Sequence, residues 1–223
     1  EEVPRGSFSV DLARDPWRFS LRTQRALANT NDFLPPLEEE APAFAAIITN
    51  DDYDYVDRTS TTVTVTRTLG GERGSLVRLE VGPAEDEPEI SRLRNGLIHW
   101  GTFRPNRYSV EGLYVRSLVG FEFHPDVSGQ FLEPGVGAGF SYERGDGELQ
   151  WQRVEARLVG RHSWGPVVYG ARFDGAAVLG RQLPPQRLIE FGENEGLPGY
   201  TYKEFGGDRA ALLRLSAAYQ LPW

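Results

Sequence analysis

The residues from Gln150 to Arg181 and from Asp208 to Trp223 alternate apolar and polar over lengths that a soluble strand rarely needs. In the second stretch Arg209, Ala211, Leu213, Leu215, Ala217, Tyr219, Leu221 and Trp223 fall on one side. The other side runs from Asp208 through Arg214 and Ser216 to Pro222 and holds most of the polar groups. A period of two is the mark of a β-strand, whose successive side chains point to opposite faces. Ordinary strands run roughly 5–6 residues, whereas a tilted strand crossing a bilayer takes about 9–11. Long, evenly spaced strands with one charged face predict an antiparallel transmembrane β-barrel, apolar outside and wet inside.

No run approaches the ~18 consecutive apolar residues of a membrane helix, which excludes a helical membrane protein but not a barrel. Glycine (25 residues) and aromatics (12%) are plentiful, as expected where strands bend and rings sit at bilayer interfaces. The same composition leaves a soluble all-β protein open. There is no cysteine, so no disulfide framework, zinc–thiolate site or cysteine nucleophile is available. His99, His124 and His162 are too scattered to read as a metal cluster, and no metal or cofactor is expected. The net charge of −8 argues against nucleic acid as a partner. With Glu1 first and no methionine anywhere, the expectation is a chain that has lost a signal peptide or is a fragment.

The pattern gives about 10–12 strands in a single domain over residues 1–223, with no convincing long helix. The expected strands are Ser7–Leu12, Arg18–Ala28, Phe44–Thr49, Arg58–Leu69, Ser75–Val81, Gly96–Phe103, Tyr108–Phe123, Val136–Arg144, Leu149–His162, Val167–Arg181 and the stretch to Trp223. Asp51–Asp57 reads as an acidic rim or loop, Gly82–Glu89 as an acidic connector, and Gly145–Glu148 as a tight turn. A shift in the alternation near Gly112 reads as a bulge.

In the last strands Arg153, Glu155, Arg157 and Arg161 share one face, as do Arg172 and Asp174, and Arg214 lies on the more polar side of its strand. In a sandwich such charges would face bulk water; in a barrel they line the lumen, because a charge on the lipid face costs about 2–4 kcal/mol at the midplane. Strand length and the mix of signs, which allows cross-strand pairing, favour the lumen. Trp151, Trp164, Tyr169, Tyr219 and Trp223 fit an interfacial girdle or, in a sandwich, core aromatics.

Leu183–Gly207 is too long for a hairpin turn and reads as functional or packed. Its sequence, LPPQRLIEFG, then LPGY, then KEFGGDRAALLRLSAAYQLP, resembles the barrel of the Omp85 superfamily of bacterial outer-membrane proteins, the group of BamA, TamA and the surface-antigen proteins. The resemblance covers about residues 149–223, is faint over 58–148 and absent before that. In that family a loop dipping into the lumen carries a (V/L)-R-G-(F/Y) motif. Leu197, Gly199 and Tyr200 match it, whereas Pro198 stands where the family has the arginine that anchors the loop to the wall. Lys203 and Arg209 are the candidates to replace it.

The resemblance implies a barrel of about 16 strands, with about four more after the matching strand; a chain ending at Trp223 is then either truncated or a smaller barrel. It further implies a bacterial outer-membrane location, contact with outer-membrane lipid, and action on translocating or unfolded polypeptide or on other envelope proteins. Protein insertion or translocation, or a purely structural role, is the expected function. A passive pore with Arg153, Arg157 and Arg172 setting ion preference is the alternative, and a soluble β-sandwich binding module is another. No carboxylate pair, G-x-S-x-G elbow or P-loop is present, so an enzyme is not expected.

Overall fold

A computed structural model describes residues 4–30, 33, 54–70, 74–89, 106–129, 134–192, 197, 199–201 and 203–220. Nine strands form one sheet, each antiparallel to its neighbours. They are β1 (Gly6–Arg14), β2 (Trp17–Thr30), β3 (Asp54–Leu69), β4 (Ser75–Pro88), β5 (Gly112–Phe123), β6 (Gly135–Gly147), β7 (Trp151–Trp164), β8 (Val167–Leu179) and β11 (Arg209–Tyr219). Within the connection from β8 to β11, β9 (Ile189–Phe191) and β10 (Phe205–Gly207) make a separate small ladder. Among the described residues no ladder joins β1 to β11, and no helix is long and apolar enough to cross a membrane.

Several strands run further than the sequence pattern implies. Asp54–Asp57 forms the start of strand β3, paired with β2, rather than a loop, and β4 continues through the acidic stretch to Pro88. Arginines make this tolerable. Arg58 sits opposite Asp86 in the register, and Arg25 bonds to both Asp57 and Glu87. Gly82 carries no side chain where a Cβ would lie 1.8 Å from the Thr61 carbonyl oxygen, so the two strands approach closely there. β6 likewise extends to Gly147, through the residues that read as a turn. The shift near Gly112 is the start of β5 rather than a bulge within it, since Tyr108–Glu111 lie outside the sheet. The expected strands Phe44–Thr49 and Gly96–Phe103 lie outside the described residues.

The unbroken register gives the sheet two faces. One face carries Phe8, Val10 and Leu12 on β1, Val63 and Val65 on β3, Leu79 and Val81 on β4, and Val119 and Phe121 on β5. It continues through Phe140, Leu158, Phe173, Leu213 and Leu215 to the far edge. These residues are exposed, Phe8 to 66% and Leu215 to 76%, apart from the half-buried Val65. On β11 the run Ala211–Tyr219 covers about 26 Å at ~3.3 Å per residue. The opposite face holds Thr62, Thr64, Thr66 and Thr68 of β3 and most of the charge, and it is the covered side. Tyr114, Trp151, Val178, Ala84 and Leu212, from strands up to five apart in the sheet, join Phe33 and Ile189 in one buried cluster. A flat sheet would hold β4 and β11 some 24 Å apart at ~4.8 Å per strand; the sheet curls around this cluster.

The two ends of the sheet differ. At one, β1–β2 and β7–β8 are joined by two residues each, β3–β4 by five and β5–β6 by eleven. At the other, 23 residues link β2 to β3, 23 link β4 to β5 and 29 link β8 to β11, while β6–β7 takes three.

Candidate functional site

The long loop between β8 and β11 lies against the polar face at the long-loop end, and four groups hold it there. Pro184 and Pro185 open a single 3₁₀ turn, Pro185–Arg187, that points two side chains at the wall. The buried Gln186 amide acts as a strand would: its Nε2 donates to the Val110 carbonyl at 2.8 Å and its Oε1 accepts from the Val110 N–H at 3.1 Å. Arg187 stacks on the Trp151 ring, its Cζ 4.0 Å from the ring centre. Its Nη2 donates to the Tyr114 hydroxyl at 2.8 Å and lies 3.4 Å from Asp86 Oδ2.

Around Arg187 the wall supplies a chain of ion pairs. Arg58 grips Asp86 through two bonds of 2.6 and 3.1 Å, and the Tyr114 hydroxyl donates to the same carboxylate at 2.8 Å. The Trp151 indole donates to Glu143 Oε1 at 3.0 Å. Arg116 bonds twice to Glu143 and reaches Glu80 at 2.8 Å, and Arg78 completes the row on Glu80. Burial pulls the pKa of Arg187 below the usual arginine value and the nearby Arg58 cation adds to this, against the pull of Tyr114, Asp86 and Glu143. The Trp151 ring fits because residue 145 is glycine; a Cβ there would lie 2.0 Å from the ring.

The other end of the loop is held by Lys203, the sole lysine, whose backbone is in the left-handed region at φ 48°. Its buried ammonium donates to the Thr30 carbonyl at 2.8 Å and to Asp54 Oδ2 at 3.0 Å, tying the loop to β2 and β3. Arg107 bridges Glu190 of β9 at 3.0 Å and donates to the Lys203 carbonyl. Of the two candidates to replace an anchoring arginine, Lys203 is therefore the one seated on the wall. Arg209 lies on the apolar-side register opposite Ala177.

Within the motif, Leu197 packs beside the buried cluster, and Gly199 has a φ of 97° that a larger residue would strain to adopt. Tyr200 is about half exposed, its ring edge-on to Phe205 at 5.0 Å. Pro198 lies outside the described residues.

Arg153, Glu155, Arg157, Arg161, Arg172, Asp174 and Arg214 all fall on the polar face. Arg153 pairs with Glu155 at 2.6 Å. Asp174 gathers Arg157, Arg172 and Arg214 at 2.7–3.0 Å. A cavity of about 570 Å³ lies between these pairs and Glu80, Arg116 and Glu143. Of the expected girdle, Trp164, Tyr169 and Tyr219 are exposed on the apolar face at the short-turn end. Trp151 is not a girdle residue: it sits on the polar face and is buried under Arg187. Trp223 lies outside the described residues.

Sequence reasoning missed Arg187, Gln186, Asp86 and Asp54. The signals were the Pro-Pro-Gln-Arg run, which stiffens a turn next to a long polar side chain, and acids placed at ladder positions in strongly β-forming surroundings. Compared with known proteins, the chain matches no family model, no curated protein and no solved structure.

Proposed function

We propose that this chain forms the wall of a bacterial outer-membrane β-barrel whose lumen holds the β8–β11 loop, and that it acts in inserting or translocating polypeptide. The observation that carries this reading is the inversion of the sheet: apolar side chains lie exposed on one continuous face of nine strands, while most of the charges line the covered face and those on the apolar face lie towards its ends. Water would penalise so large an apolar patch; hydrocarbon favours it. The aromatics at the short-turn end, the charged cluster of Arg5, Arg25, Asp57, Glu87 and Glu89 at the long-loop end, and the contrast of short turns with long loops agree with an outer-membrane barrel.

Nine antiparallel strands leave β1 and β11 running in the same direction. An all-antiparallel barrel therefore takes an odd number of further strands between these edges, as the Omp85-like count of about 16 would provide. The clamped loop supports the Omp85-like role over a passive pore, since Arg187 and Lys203 hold it across the polar face. No chemical step is involved; loop and wall act on a polypeptide or on lipid.

The test is reconstitution into liposomes containing brominated lipid, using variants that keep a single tryptophan. Fluorescence from Trp164 is quenched and that from Trp151 is not, and conductance stays low. Steady, selective channels would instead establish the passive pore. A folded monomer that stays dispersed in buffer without detergent would overturn the membrane reading.

A further inference from the structure

The charges on the polar face do not balance evenly. Around Arg187, the cations Arg58, Arg78, Arg116 and Arg187 meet Asp86, Glu80 and Glu143. Towards the short-turn end of β7, β8 and β11, Arg157, Arg172 and Arg214 share Asp174, and Arg161 bonds to no carboxylate among the described residues. The next acid on that face, Glu155, is bonded to Arg153. Arg172 and Arg214 are direct cross-strand neighbours, and Arg161 faces Gly170, two residues from Arg172. Like charges placed directly opposite each other in a sheet repel, so this arrangement favours a counter-ion.

The donors to hold one are present. Each guanidinium carries about five N–H groups, and the three on Asp174 place four of them there in all. Arg214 Nε is buried and meets no acceptor among the described residues. About a third of the Arg157 and Arg214 side chains and a quarter of Arg172 remain accessible. Gly170 leaves the floor between Arg161 and Ser216 bare of a side chain, since a Cβ there would lie 2.6 Å from Ser216 Oγ. Arg161 itself is held by the Val127 carbonyl, an uncharged partner.

We propose that Arg161, Arg172 and Arg214, with Ser216 beside them, form a binding site for a phosphate group. Planar guanidinium forks match the geometry of phosphate oxygens and bind them in pairs. Asp174 keeps the forks oriented without neutralising them. The site depends on the register of three strands rather than on membrane insertion, so liposome quenching and phosphate binding can fail independently.

The experiment is calorimetric titration of the full chain, folded in zwitterionic micelles, with inorganic phosphate at constant ionic strength set by chloride. Saturable binding of one phosphate per chain is expected. Arg214→Gln and Arg172→Gln each weaken it at least tenfold, about the effect of losing one charge-assisted hydrogen bond, whereas Arg144→Gln on the other face leaves it unchanged. Should either variant lose its fold, Arg161→Gln keeps all four bonds to Asp174 and carries the same expectation. Displacement of bound phosphate by added phosphatidylglycerol would identify a lipid headgroup as the natural source, and lack of displacement a free phosphate. No saturable binding, or binding indifferent to Arg161, Arg172 and Arg214, would overturn the proposal.

Discussion

Asp86 and Asp174 sit on the same face of one sheet, each is nearly inaccessible to solvent, and each is gripped by several arginines. They differ in what lies above them. The loop brings Arg187 over Asp86, where the Tyr114 hydroxyl and the Trp151 ring close the remaining space. Among the described residues nothing comparable reaches Asp174, whose three arginines come from the sheet itself and remain a quarter to a third accessible. The same carboxylate–guanidinium chemistry thus serves as a clamp where a loop completes it, and leaves spare cationic donors where the sheet completes it alone. Shielding from solvent and the ratio of partners separate the two sites.

That contrast orders the expected effects of substitution. Asp86→Ala removes the shared anion from beneath Arg58 and Arg187 and is expected to destabilise the fold by about 3–5 kcal/mol, read from urea unfolding in micelles. A loss near 1 kcal/mol would show that the clamp is as wet as the Asp174 site. Lys203→Met keeps the stem but strips the ammonium from Asp54. A cost of about 3 kcal/mol should appear together with faster proteolysis between Leu183 and Gly207, because the loop loses its second anchor. If the loop stays protected, Arg187 and Gln186 hold it unaided.

Asp174→Asn should cost about 1 kcal/mol, since its arginines can turn to solvent, and its unfolding midpoint should depend more steeply on phosphate than that of the unaltered chain. An effect as large as that of Asp86→Ala would erase the distinction between the two sites. Arg144→Ala breaks a pair in which both side chains are more than half exposed; under about 0.5 kcal/mol is expected, which sets the baseline for the series.

Much of this molecule was legible before any coordinates. Alternation alone assigned the faces of Arg153 to Arg161, of Arg172 and Asp174, and of Arg214, because strand geometry ties each side chain to the parity of its position. The acidic stretches 54–57 and 82–88 misled, since acids are poor strand formers by themselves; here arginines across the ladder neutralise them, which a local window cannot register. Trp151 misled for a related reason. Parity places it with the charges, yet its size and its position at a strand end read as a girdle until Arg187 is seen stacked upon it.

Period and strand length thus determined that this is a long-stranded, two-faced sheet, because those properties are local and repeat every two residues. The clamp was a matter for the tertiary structure alone. Lys203 meets Asp54 across 149 residues and Arg187 meets Asp86 across 101, and only the curl of the sheet around the folded loop brings such partners together. Charge counts in the sequence show how many arginines and carboxylates there are; which of them are shielded from water, and so which pairs lock and which stay open to an anion, depends on what packs above them.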